Sequence, residues 1–400
     1  MRAVRLGAGT LILATLLFFC TQGSALAKAE PPSSVLSSRV ENSFPAPMAS
    51  ELERVVAVAL GKYDIPGIAL WVSVPGEGVW KGAYGKANLA TGQPLSPDVH
   101  LPIGSVTKTF TATVILQLVQ EGRLSLSAHI GRWVPRVQDS NKITVRMLLN
   151  MTSGIYDEGG PGSELLNEID KEPNRTVTPE HIVNLAVAHG PAAPLGHFYY
   201  SNTNYVIRGI IAQDITYATI GNLITTQTLR PLHLNQTTYL TTSALPKPSA
   251  TGYFVGDGAP PQMYPMYNPS YIGAAGAMVS TVNDMATWAK ALATGQLLSH
   301  TTQAERLQLG PVFGSFFPLP IPGQPDQSLT LRYGLGLYSL GGFLGHNGGV
   351  KGYTADVAYL PARQATIVVM ANGDDRNPVQ GGTVTDAVTV NIANVILGRR

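Results

Sequence analysis

The sequence predicts an α/β (α+β) fold: an antiparallel sheet built from both chain ends and flanked by helices, with a mostly helical domain inserted between them. Three observations carry this expectation. Strand-type patterning is confined to two stretches, residues 67–84 and 333–370. The segment between 123 and 240 shows helical stretches with little strand signal. Helical spacing then frames the strands, once before residue 67 and once after residue 382.

The elements follow in chain order. Arg2 and Arg5, an apolar run from Leu6 to Phe19, and Ala25-Leu26-Ala27 form the three parts of a secretory signal over residues 1–27, cut near Lys28. The apolar run falls short of the roughly 20 residues of a membrane span; a retained anchor is the alternative. Phe18 and Phe19 before Cys20 argue against lipidation. Residues 28–48, rich in Pro, Ser and Ala, read as a linker. Ser50-Glu51-Leu52-Glu53 is a capping box, and Leu52, Val55, Val56, Ala59, Leu60 and Tyr63 follow at helical spacing. Gly67 to Val74 and Val79 to Tyr84, joined by Pro75-Gly76-Glu77-Gly78, form a hairpin. Phe110 to Val119 is apolar nearly all round, a helix buried on every side and ended by Gly122.

Strands return at Tyr333 to Leu340, Phe343 to Gly345, Tyr353 to Tyr359 and Thr366 to Met370, and residues 383–397 close the chain as a helix. One folded domain is therefore expected over 49–400, with an α/β part at 49–100 and 265–400 and a helical part at 101–264. Two loops stand out, an acidic one from Asp157 to Asn174 and a Pro- and Phe-rich one at 311–328. Both are expected as surface excursions, and Tyr264, Tyr267 and Tyr271 as surface packing.

Composition narrows function. Apolar residues make up 44% and charged residues 13%, a chain able to build a large core without disulfides. Loss of residues 1–27 removes two of the 27 basic residues and none of the 25 acidic ones, leaving zero net charge. That balance gives no electrostatic case for nucleic acid or an anionic membrane. The sole cysteine, Cys20, leaves with the signal, so thiolate catalysis and Cys-bound metal are excluded. No His pair has H-x-H or H-E-x-x-H spacing, so no metal and no cofactor is expected. No serine sits in G-x-S-x-G.

Ser105-Val106-Thr107-Lys108 carries the chemistry. One helical turn separates a hydroxyl from an amine on the same face, at the positive end of a helix. Apolar neighbours disfavour the ammonium and suit Lys108 to accept a proton from Ser105. Alone, the motif reads equally well as a Ser cap followed by a surface Lys, since about one S-x-x-K is expected by chance in such a chain. Tyr200-Ser201-Asn202 adds a phenol whose phenolate an ammonium would stabilise, and an amide able to bind a substrate amide. His346-Asn347-Gly348-Gly349 adds an imidazole able to bond the proton relay, and glycines that admit substrate against backbone N–H groups. Each has a bland alternative, a polar turn or a Gly-rich strand end.

In this order, S-x-x-K, Y-S-N and H-N-G resemble the serine β-lactamase and penicillin-binding protein superfamily, nearest its class C β-lactamase and D-alanyl-D-alanine carboxypeptidase branch. Ile103 to Phe110, Leu116 to Leu124, Ile143-Thr144-Val145-Arg146 through Thr152-Ser153-Gly154, Tyr200 to Tyr205, Ala275-Gly276 through Ser280-Thr281, Tyr333-Gly334-Leu335-Gly336 and Gly345 to Tyr353 extend the resemblance over roughly residues 50–400. It implies a β-lactamase/transpeptidase-like fold with Ser105 as acylated nucleophile and Lys108 and Tyr200 sharing proton transfer. Asn202, His346 and Asn347 would contact substrate, and the backbone N–H groups of Ser105 and Gly349 would hold the oxyanion. The implied activity is a secreted acyl-enzyme hydrolase, D-alanyl-D-alanine carboxypeptidase-like, acting on a small molecule or peptide such as a peptidoglycan stem peptide or β-lactam. An esterase or β-lactamase on the same scaffold, or a silent cell-wall-ligand binding protein, are the alternatives.

Departures limit the transfer. His346 stands where class C enzymes usually have Lys, and Asn347 where a hydroxyl is common. No Arg follows Tyr333-Gly334-Leu335-Gly336-Leu337 to bind a terminal carboxylate, and Arg332 lies on the wrong side of it. This tilts the expectation towards a broader peptidase or esterase. Met151 replaces the His of H-T-S-G, read as packing variation, and Glu164-Leu165-Leu166-Asn167 is a decoy of a deacylation motif.

Overall fold

The computed structural model describes residues 38–256, 259–310, 314–316, 329–375 and 382–398. The signal segment and most of the 311–328 loop lie outside them. In chain order the large sheet takes strands β1 (Ser38–Asn42), β2 (Gly67–Val74), β3 (Gly78–Asn88), β4 (Gly314–Phe316), β5 (Leu329–Tyr333), β6 (Tyr338–Leu340), β7 (Phe343–Val350), β8 (Tyr353–Leu360) and β9 (Ala365–Ala371). The helices are α1 (Ala46–Lys62), α2 (Thr107–Gln120), α3 (Val145–Leu149), α4 (Glu164–Lys171), α5 (Pro179–His189), α6 (Thr203–Thr216), α7 (Ile220–Ile224), α8 (Val282–Thr294), α9 (His300–Arg306) and α10 (Val384–Ile396).

The strand order is β1-β3-β2-β9-β8-β7-β6-β5-β4, antiparallel throughout, with both chain ends meeting where β2 pairs with β9. Alternation sorts the side chains onto two faces. Ile68, Leu70 and Val72 of β2 with Ile367 and Val369 of β9 face α1 and α10. Val368 and Met370 of β9 turn to the other face, where α8 and the helical insertion pack. On that side α2 is enclosed from Thr107 to Leu118, and Phe110 stacks on Trp288 of α8 at 3.7 Å between ring centres. The buried helix and the hairpin are thus where patterning places them.

Five expectations change. Part of the 28–48 linker is structured: residues 38–42 add an edge strand against β3. Helix α1 opens at Ala46 rather than at the Ser50 box, because Pro45 and Pro47 preset the first turn. Tyr333 to Leu340 is not one strand; Gly336, at φ +85°, turns the chain between β5 and β6. The acidic loop is no surface excursion: Glu158, Ser163, Leu165 and Ile169 are buried, and α4 forms within it. Tyr267 and Tyr271 are likewise buried. No helix among the described residues is long and apolar enough to cross a membrane.

Candidate active site

Ser105 sits in a 3₁₀ turn, Gly104–Val106, that runs into α2. Two glycines let strand β7 press against this turn. A Cβ on Gly104, at φ +47°, would lie 2.7 Å from Gly349 N, and one on Gly348 would lie 2.7 Å from Ser105 N. A side chain at either position would clash, and the backbones of Ser105 and Gly349 are thereby held in close approach. That is the arrangement an oxyanion hole requires.

Lys108 is fully buried one turn on. Its Nζ lies 2.7 Å from Ser105 Oγ, 2.6 Å from Asn202 Oδ1 and 3.0 Å from the carbonyl oxygen of Ala275. The amide and carbonyl oxygens can only accept hydrogen bonds. A neutral amine that donates to both keeps its lone pair for Ser105. Burial is the chief reason the Lys108 ammonium is pulled down to about 7; Asp157 pulls the other way and Arg208 adds to the depression.

The segment 274–278 is laced to α2: Thr111 Oγ1 donates to Ala274 O at 2.7 Å, and Met278 N donates to Thr107 Oγ1 at 3.2 Å. The Ala275 carbonyl is therefore a fixed part of the lysine's cage.

Tyr200 lies within hydrogen-bonding reach of the Ser105 side chain, its ring centre 5.0 Å from Lys108 Nζ. The expectation of a stabilised phenolate needs correction. Desolvation drives the Tyr200 phenol well above its ordinary range, ahead of the Ser105 hydrogen bond that favours ionisation. Tyr200 is thus a neutral hydroxyl able to pass a proton.

Asn202 is held by the protein through three of its polar atoms. Its Oδ1 is taken by Lys108, and Asp157 accepts from its backbone N at 2.6 Å and from Nδ2 at 3.4 Å. Asp157 places its carboxylate at the N-terminus of α6, where the helix dipole favours it. Burial nonetheless raises it to about 6. Sequence reasoning missed Asp157 and Ala275.

His346 is buried in β7. Its Nδ1 faces the carbonyl oxygen of Asn347, so Nδ1 carries the proton and Nε2 accepts from the Tyr333 hydroxyl at 2.9 Å. Burial lowers it to about 3, so the imidazole is neutral. Asn347 donates through Nδ2 to Asp386 of α10 at 3.0 Å, and both residues also line the cavity beside Ser105. Met151 fills the core and its sulphur accepts from Asn204 Nδ2 at 3.5 Å; Glu164 is exposed on α4.

These groups open onto a cavity of about 440 Å³ lined by Ser105, Pro161, Phe198, Tyr200, Leu331, Tyr333, Tyr338, Leu340, residues 346–349, Thr383 and Asp386. Its wall is largely apolar and aromatic. Among the described residues Asp386 is the only formally charged residue of the lining, and Arg332 bonds the Gly310 carbonyl at 3.2 Å. The residues of 264–271 do not line it. No group of three or more His, Cys, Asp or Glu able to hold a metal occurs among the described residues.

Fold and constellation together define a serine hydrolase of amide or ester bonds. The chain belongs to the Beta-lactamase family, whose sequence profile matches residues 52–387. Among solved structures it is similar to a D-stereospecific amidohydrolase from Streptomyces sp., 30% identical with a TM-score of 0.69, covering 82% of this chain and 94% of that one. The octameric penicillin-binding protein homologue from Pyrococcus abyssi is 25% identical with a TM-score of 0.71, over 88% and 78%. A D-amino acid amidase from Ochrobactrum anthropi shares the fold at TM-score 0.74 and 23% identity, over 87% and 98%. Protein flp of Staphylococcus aureus (strain N315) is 29% identical over 60% of this chain, which spans about half that relative's length, 48%.

Proposed function

We propose that this protein is an amidohydrolase that cleaves amides of apolar D-amino acids, or short peptides beginning with them, through an acyl-enzyme on Ser105. The observation that carries the acyl-enzyme is the cage of Lys108: Nζ lies 2.7 Å from Ser105 Oγ while two oxygen acceptors take its other bonds, so the neutral amine has its lone pair free for the Ser105 proton. Ser105 Oγ attacks the substrate carbonyl carbon as its proton passes to Lys108. The Ser105 and Gly349 N–H groups stabilise the oxyanion. The C–N bond then breaks as the leaving amine takes a proton from Lys108 through the Tyr200 hydroxyl. Water attacks the ester by the reverse route, releasing the acid and restoring Ser105.

The cavity supports the substrate class. Phe198, Leu331, Tyr338 and Leu340 suit an apolar side chain, and among the described residues no cation lines the cavity to pair with a free terminal carboxylate. A carboxypeptidase requires that partner, so a neutral amide fits better than a peptide ending in D-alanine. D-configuration follows the Streptomyces neighbour.

The test is turnover of D-phenylalanine amide, its L-enantiomer, a D-Ala-D-Ala peptide and a nitrophenyl ester, with benzylpenicillin adducts read by intact mass beside Ser105→Ala. The expected result is a kcat/KM for D-phenylalanine amide at least about tenfold above that for the D-Ala-D-Ala peptide, the cost of an unpaired carboxylate. The reverse ranking restores the carboxypeptidase, and binding without any turnover makes the protein a silent receptor. We also propose export with cleavage after Ala27. The mass of the exported chain checks it: a start at Lys28 is expected, and an intact Met1 in the membrane fraction argues for an anchor.

A further inference from the structure

Arg208 lies on α6, six residues beyond Asn202, and has no solvent exposure. Its guanidinium covers the ring of Tyr205, Cζ 3.3 Å from the ring centre. Nε and both Nη atoms find no hydrogen-bond partner among the described residues. The same ring carries Lys108, its Nζ 5.6 Å from the centre. An amine and a guanidinium thus share one aromatic ring in the interior, and no ion pair holds Arg208. Arginine does not give up its proton in proteins, so this charge is permanent. An unpaired buried charge is costly to a fold, and an apolar side chain of similar length would fill the place more cheaply.

We propose that Arg208 is a positioning residue that keeps Lys108 in its neutral, proton-accepting form by like-charge repulsion across Tyr205. This rests on the assignment of Lys108 as the base. The groups facing Lys108 come from every side. Ser105 lies on its own turn, Asp157 on the segment after α3, and Tyr200, Tyr205 and Arg208 on and before α6. Tyr333 of β5 and His346 of β7 complete the set. Tyr200, Tyr333 and His346 are neutral, Asp157 favours the ammonium, and Arg208 supplies the opposing positive charge. Arg306 of α9 turns instead to Thr113 Oγ1 at 2.6 Å.

The experiment compares wild type, Arg208→Met, Arg208→Lys and Lys108→Ala. It reads the pH dependence of Ser105 acylation by a nitrophenyl ester together with the melting temperature. Arg208→Met is expected to melt no lower than wild type. Its acidic limb should move up by about one pH unit, lowering the rate at pH 7 about five- to tenfold and sparing the rate at pH 9. Arg208→Lys should keep the limb at its wild-type position. A folded Arg208→Met with an unmoved limb, beside an inactive Lys108→Ala, overturns the role of Arg208 alone. A Lys108→Ala that keeps activity and the same limb overturns the base assignment and the proposal with it. Should Arg208→Met fail to fold, Arg208→Gln replaces it: a limb above that of Arg208→Lys supports the proposal, and equal limbs refute it.

Discussion

Two lysines in this molecule show how surroundings divide one side chain into two devices. Lys108 touches a serine hydroxyl, an amide oxygen and a backbone carbonyl, and no carboxylate contacts it. Lys351, in the turn after β7, contacts the Asp170 carboxylate and the hydroxyls of Tyr264 and Tyr267, at 3.2 and 3.5 Å, with both rings about it. The second arrangement straps α4 and the tyrosine segment to the end of β7. The first withholds a contacting carboxylate and buries the amine, so the proton is held weakly. Contacting carboxylate, rather than distance from solvent alone, separates a strut from a base.

The comparison breaks most sharply when either partner of the proton transfer is removed. Ser105→Ala and Lys108→Ala should each lower the acylation rate by about 10⁴-fold or more, measured as the ester burst. Asn202→Asp should give Lys108 the surroundings of Lys351. The new carboxylate would hold the ammonium, move the acidic limb of the acylation profile up by about 1–3 pH units, and cost about 10- to 1000-fold at pH 7. Asp157→Asn sharpens the comparison in the opposite sense. Asp157 favours the Lys108 ammonium, so its neutral isostere should shift the limb down by up to about one unit while Oδ1 still accepts from Asn202 N. Lys351→Met should do least: the pair is partly exposed, so the fold loses about 0–1 kcal/mol in a denaturant titration, with the limb in place.

Much of this was legible before any coordinates. The hairpin β2–β3, the buried helix α2 and the closing helix α10 follow from periodicity and turn residues. Ser105, Lys108, Tyr200, His346 and Gly349 could be singled out because their chemistry needs those side chains or a bare backbone. Other parts had no local signal. Ala275 contributes only a carbonyl, which every residue has. Asp157 meets Asn202 across 45 residues, and nothing in an acidic loop marks which acid turns inward. Arg208 occupies a helix position that reads as a solvent-facing charge. Tyr333 to Leu340 has a strand-like pattern, yet the turn at Gly336 follows from packing: a Cβ there would meet that of Ala112 on α2 at 2.2 Å. Asn347 was read from its neighbours in the motif, which carry no sign that its Nδ2 bonds Asp386 of α10.

The central claim is that a neutral Lys108 accepts the proton of Ser105. Its most direct test is the burst rate of acylation by a nitrophenyl ester between pH 5 and 9, with the acyl group located by peptide mass. The ester's leaving group needs no proton, so the profile reports the base. Lys108 is pulled down to about 7, so its ammonium cannot accept a proton below that pH. The rate should therefore rise about tenfold per unit below pH 7 and level above it, with the adduct on Ser105. A burst that stays flat from pH 5 to 7, or an adduct on another residue, would contradict this account.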